Sequence, residues 1–90
     1  MTLNEVIFIN NLPTIDLHGY DRESARVAVN DFVKENVKLK NNVIVIIHGI
    51  GSHIVKTSVH EALKRNKYVL EYKLYNYNVG CTIVSLSIDK

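Results

Sequence analysis

Two short runs carry the residues best suited to chemistry. Asp16-Leu17-His18-Gly19 and His48-Gly49-Ile50-Gly51 each end an apolar β-branched stretch in a histidine followed by glycine. Imidazole titrates near neutral pH, and a carboxylate can fix its tautomer. Asp16 stands two residues before His18, on the same side of an extended chain. Asp16, His18 and His48 therefore make a candidate acid–base set. Gly49 and Gly51 let backbone approach a ligand closely. A helix that starts at Ser52 or His53 turns free N–H groups and the positive end of its dipole toward that turn, which suits a phosphate. Gly49, Gly51, Ser52, His53 and Lys56 form the candidate phosphate cradle. The turn lacks both the third glycine of a dinucleotide fingerprint and the Gly-Lys-Ser/Thr ending of a P-loop.

These residues need a frame. Thr14–Leu17 reads as a strand delivering His18 to a turn. Asp21 can cap a helix whose apolar stripe is Ala25, Ala28, Val29, Phe32 and Val33, fading near Lys38–Asn42. Val43–Ile47 is five β-branched residues in a row, a central strand buried on both faces. The second helix runs to Asn66 with Val55, Val59, Ala62 and Leu63 inward. Tyr68–Tyr75 and Thr82–Ile88 are strands joined by a polar loop, Asn76–Gly80. The order β-α-β-α-β-β predicts an α/β two-layer sandwich. Its four-stranded mixed sheet carries two helices, both on one face or one on each. Ligands of such sheets bind outside the carboxyl ends of the parallel strands, where both histidines fall. If those strands are neighbours, His18 and His48 face one crevice.

Ninety residues make one domain, read here as an arm over 1–13 and a folded unit over 14–90. No apolar run reaches the ~20 residues of a membrane helix. The first ten residues lack the pattern of a secretory signal. A single cysteine, Cys81, fits a reducing, cytoplasmic setting and reads as a small core residue. The four histidines lack zinc-site spacing, so no structural metal and no required cofactor is expected. A weakly held Mg²⁺ at Asp16 stays open. Net charge is only +2, but it is unevenly spread: residues 1–33 carry −3 and residues 34–67 carry +5. On the second helix His53, Lys56, His60, Lys64 and Lys67 fall within an arc of about 80° beside the apolar stripe. Such a line leaving an anion-binding turn either tracks a phosphate backbone or is an ordinary solvated flank. Tyr75 and Tyr77 are candidates for stacking on a base, against the commoner reading as hairpin tyrosines.

The two histidine–glycine runs, about thirty residues apart, together resemble the Smr (small MutS-related) domain. Val59-His60-Glu61-Ala62-Leu63-Lys64-Arg65 looks like that family's second helix, and Gly80–Leu86 like its closing strand. The resemblance spans Thr14 to Ile88. It implies a fold like the C-terminal domain of translation initiation factor 3. It also implies nucleic-acid binding, often with endonuclease activity on RNA or DNA, and in some members work in recombination control or on collided ribosomes. Asp16, His18, His48, Gly49 and Gly51 are the positions it carries over. Ile50 stands where the family has a basic residue, His53 where it has glycine and Lys56 where it has arginine. The glycine-rich loop before the last strand is shortened to Asn76–Gly80. His60, Lys64 and Lys67 are candidate nucleic-acid contacts, and two functions follow as expectations: a phosphodiester-cleaving endonuclease, leaning toward RNA, and a non-catalytic module that binds nucleic acid or the ribosome through Lys56, Lys64 and Lys67.

Overall fold

A computed structural model describes residues 11–51 and 53–88. The expected arm lies almost wholly outside the described residues, as does Ser52. The elements are β1 (Thr14–Asp16), α1 (Arg22–Lys38), β2 (Val43–Ile47), α2 (His53–Arg65), β3 (Val69–Tyr75) and β4 (Asn78–Leu86). The expected order holds.

The sheet order is β1-β2-β4-β3, with β1 parallel to β2 and the other pairs antiparallel. Alternation along β2 divides its side chains between two apolar layers. Ile44 and Ile46 pack with Val29 and Val33 of α1 and Val59 and Leu63 of α2. Val43 and Val45 pack on the opposite side with Tyr75, Cys81 and Ile83. Both helices thus cover one face, which settles the alternative left open by the sequence. The buried Ser58 fastens them together by donating from Oγ to the Arg22 carbonyl at 2.7 Å.

Local chemistry sets the helix ends. Asp21 is the N-cap of α1 and accepts from the Ser24 N–H at 2.7 Å, as its position predicts. At the other end Lys40 takes a left-handed φ of 62°. Its N–H donates to the Val37 carbonyl, and that of Asn41 to the Asn36 carbonyl. The buried Asn36 side chain donates to the Phe32 carbonyl and accepts from Asn41 Nδ2.

The last hairpin is tighter than expected. Asn76–Gly80 reads as a loop because it is polar, yet Tyr75 already pairs with Asn78 and only Asn76 and Tyr77 turn. Asn78 Oδ1 accepts from the Gly80 N–H at 2.9 Å, so the side chain supports an extended backbone. The outer end of an antiparallel ribbon meets water, and polarity there is compatible with a strand.

Candidate nucleic-acid site at the sheet edge

The β1–β2 register places Asp16 beside Ile47, so the turns that follow the two strands lie side by side. His18 Cβ comes within 3.5 Å of the point a Cβ on Gly49 would occupy, and Gly49 has a φ of +89°. Glycine is required there for its backbone angle, and a Cβ would rest in ordinary contact with His18. Gly19, at φ +83°, reverses the chain after His18, and the Tyr20 N–H closes that turn on the Leu17 carbonyl.

Asp16 and His18 form a pair. Asp16 Oδ1 lies 2.7 Å from His18 Nδ1 and also accepts the His18 backbone N–H at 3.1 Å. These contacts hold the carboxyl below its ordinary pKa, the side-chain bond to His18 contributing most. An ionised carboxylate only accepts, so the imidazole proton sits on Nδ1 and Nε2 is left as the basic nitrogen. The His18 side chain is 74% exposed and that of Asp16 51%, which leaves Nε2 open to a substrate.

His48 does not join them. Asp16, Ile47 and Cys81 align across the sheet on the side away from the helices, whereas Ile46 and Thr82 align on the helix side, where His48 also packs. The expectation of one crevice for both histidines is therefore corrected: the strands are neighbours, but the pleat sends the two rings to opposite sides. His48 is fully buried. Its Nδ1 lies 3.0 Å from the Gly49 carbonyl, which can only accept, so Nδ1 carries the proton. Nε2 must then accept from the Thr82 hydroxyl at 2.8 Å. That hydroxyl has one proton to give, so His60 Nε2, also 2.8 Å away, donates to it. The chain runs His60 to Thr82 to His48 to Gly49 with every direction fixed. The His60 ring lies edge-on to His48 at 5.8 Å and against Tyr72 at 5.1 Å. Burial lowers the pKa of both imidazoles, and for His60 the neighbouring His48 and Lys56 add to it.

This chain holds the turn rather than presenting it. The N–H groups of His48 and Gly49 both point to the Gly80 carbonyl, at 2.9 and 3.0 Å. The Gly49 amide is thus spent inside the fold, which corrects its place as a phosphate donor. Among the described residues none accepts the N–H of Ile50 or Gly51, and α2 begins two residues later with no acidic side chain in its first turn. Thr82 was missed in the sequence. The available signal was a lone hydroxyl at an inward position of a strand whose next inward residues are Val84 and Leu86.

The basic stripe is divided. Lys56, His60 and Lys64 line one groove of about 310 Å³ with Thr57, Glu61 and Tyr72, between α2 and β3. His53 faces a separate depression with Arg22, Ile54 and Thr57. Lys67 lies beyond the helix, its Nζ 5.2 Å above the Tyr68 ring. His60 is half-buried and engaged with Thr82, so the groove offers lysines rather than a free imidazole. Tyr75 is buried, and Tyr77, itself 73% exposed, packs its ring against it. Cys81 is buried, and burial together with the Asp16 charge pushes its thiol pKa up, as suits a core residue. Among the described residues no three histidine, cysteine or acidic side chains converge as a metal-ligand set. No helix among them is long and apolar enough to cross a membrane.

This fold, a mixed four-stranded sheet with both helices on one face and two histidine–glycine turns at one edge, defines a small α/β domain class. The Smr domain family model matches residues 15–87, and the chain belongs to that family. The Smr domain of Thermus thermophilus MutS2 superposes with a TM-score of 0.81 at 25% identity, covering 84% of this chain and 99% of that one. YdaL, a stand-alone small MutS-related protein from Escherichia coli, gives 0.76 at 26% identity, covering 81% of this chain and 63% of its own. In sequence the chain is 32% identical over 76 residues to the endonuclease MutS2 of Clostridium novyi and 35% identical over 78 to that of Lactobacillus gasseri. Those matches take in 81% and 80% of this chain but only a tenth of either relative.

Proposed function

We propose that this protein binds nucleic acid across the sheet edge and cleaves a phosphodiester bond there, with RNA as the preferred substrate. The observation that carries the reading is the Asp16–His18 pair, hydrogen bonded at 2.7 Å and open to solvent beside the Gly49 turn. His18 Nε2 takes the proton of the attacking hydroxyl. Asp16 keeps the ring in the tautomer that can do so and stabilises the imidazolium that forms. On RNA the nucleophile is the adjacent 2′-oxygen. It bonds to phosphorus as the bond to the 5′-oxygen breaks, and the departing oxygen takes a proton from His18 or water. The N–H groups of Ile50 and Gly51 and the positive end of α2 face the charge that builds on the phosphoryl oxygens. Lys56 and Lys64 hold neighbouring phosphates without the fork of an arginine. His48 acts as a positioning residue through the turn, not as the second acid–base group.

Mg²⁺ is not required in this scheme. Asp16 would be its one protein ligand, with water and phosphate oxygens filling the remaining positions. The MutS2 relatives are named as endonucleases, which agrees in class. The free, buried Cys81 suits the cytoplasm.

A second reading is favoured by two observations. Of the two strand-end histidines only His18 is accessible, and Ile50, 73% exposed, puts an apolar side chain on the turn. A recognition module for RNA or the ribosome would keep the grooves and forgo the reaction. Incubating the protein with labelled single-stranded RNA and with single- and double-stranded DNA, each with Mg²⁺ and with chelator, separates the readings. Cleavage of RNA in chelator supports histidine chemistry. Cleavage abolished by chelator points to a metal-activated water. Salt-sensitive binding with no cleavage of any substrate leaves the recognition module.

A further inference from the structure

The outer groove between α1 and α2 has no role in the account above, and it leads away from the same turn. Three depressions join along it. The first holds His53, Ile54 and Thr57 and ends at Arg22. The second, about 460 Å³, continues from Arg22 past Arg26 to Asn30 and Arg65. The third, about 310 Å³, takes up Asn30 and Arg65 again and adds Lys34, Asn66, Lys67 and Tyr68.

Charge is handled differently along its length. In the middle the arginines are paired, Arg22 with Glu61 at 3.4 Å and Arg26 with Glu23. At the far end no carboxylate lines the pocket. Among the described residues Lys34 and Arg65 have neither an ion-pair nor a hydrogen-bond partner, and Lys67 has only the face of Tyr68. Gathering three cations without compensation is unfavourable in itself and favourable toward an anion.

The floor of that pocket is fixed. Asn66 Oδ1 accepts the Tyr68 N–H at 2.9 Å, which turns Nδ2 toward Asn30 Oδ1 at 3.1 Å. Asn30 thus spends its oxygen on the fold and keeps its NH₂ group as a donor. One guanidinium, two ammonium groups and an oriented amide, with no carboxylate among the lining residues, match a phosphate group.

We propose that Lys34, Arg65, Lys67 and the Asn30 amide form a second phosphate site, which holds a backbone phosphate of the same nucleic-acid strand that reaches Asp16 and His18. The proposal rests on the nucleic-acid reading of the sheet edge. The thirteen residues of α2 set the far pocket about 18 Å from the turn at which the helix begins, at 1.5 Å per residue. That is about five nucleotides at the ~3.4 Å rise of a duplex strand and fewer for an extended one. A decanucleotide is long enough to reach both sites.

The test uses the ¹⁵N-labelled chain, titrated at low salt with a ten-nucleotide single-stranded RNA and separately with inorganic pyrophosphate. Side-chain amide signals of Asn30 and Asn66 report the far pocket. Backbone signals of Gly49 and Gly51 report the edge. The decanucleotide is expected to move both sets. The variant Lys34→Gln/Arg65→Gln/Lys67→Gln is expected to lose the asparagine response, keep the glycine response and lower the salt slope of binding by about one. Movement of the glycines alone overturns the second site and leaves the edge reading intact. Movement of the asparagines alone keeps the pocket and overturns the edge reading. A response of the asparagines to pyrophosphate and not to the RNA assigns the pocket to a free phosphate compound and overturns the shared strand.

Discussion

The Thr82 hydroxyl lies 2.8 Å from Nε2 of His48 and forms the link through which β4 fixes the Gly49 turn. Its second partner, His60 at 2.8 Å, ties the same point to α2. A single buried hydroxyl therefore joins the turn, the central strand pair and the helix that starts at the turn.

Thr82→Val keeps the shape and removes the hydroxyl. It leaves His48 Nε2 without a donor and His60 without an acceptor, and is expected to destabilise the fold by about 1–3 kcal/mol. Thr82→Ser restores the hydroxyl and should recover most of that loss. Urea unfolding of the three proteins measures it, and a Val variant as stable as the parent contradicts the network.

Stability should fall on mild acidification. Burial lowers the pKa of both His48 and His60 in the folded chain. The unfolded chain, with ordinary histidines near pH 6.5, then binds more protons than the folded one as acid is added. The contribution of the neutral rings is complete above the ordinary value and is lost as pH falls through it toward the lowered one. The urea midpoint should drop between pH 7.5 and pH 5.5, and a His48→Gln/His60→Gln variant should show a flatter dependence. An unchanged midpoint in the parent counts against the assignment.

Gly49→Ala should do local harm. A left-handed φ for an L-residue costs roughly 1–2 kcal/mol, and the new methyl would meet His18 Cβ at 3.5 Å. The expected signature is lower stability together with an altered His18 ring signal in NMR spectra. A stability change with no His18 response separates backbone strain from the contact.

Lys40 offers the opposite test. It occupies the left-handed position after α1, where glycine is usual. Lys40→Gly should raise stability by up to about 1 kcal/mol in thermal or urea unfolding, with no effect on nucleic-acid binding. A loss would mean that the lysine stem contributes packing that outweighs the relieved angle.

Much of this architecture was legible in residue pattern. The β-branched run Val43–Ile47, the cap at Asp21 and the helical spacing of Val55, Val59, Ala62 and Leu63 each specify one element. Their order specifies the crossovers. The site was legible only in part. Asp16 ends β1 and His18 follows two residues on, so their pairing follows from the two-residue period carried just past the strand. Whether His18 and His48 share a crevice depends on the register between strands, and a one-residue difference sends a ring to the other face. Likewise the arc of His53, Lys56, His60, Lys64 and Lys67 is a property of an isolated helix. Packing against β3 draws His60 inward to Thr82 and parts its neighbours into separate grooves. The α1–α2 groove needs residues from two helices, and no single-helix pattern reveals it.

Under the proposed function His18, oriented by Asp16, moves the proton during phosphodiester cleavage. The most direct measurement is the single-turnover rate of RNA cleavage in chelator by the parent and by His18→Ala, with binding measured alongside. The account predicts a rate loss of about 10²–10⁴-fold with binding retained. Cleavage by His18→Ala at the parental rate would contradict it.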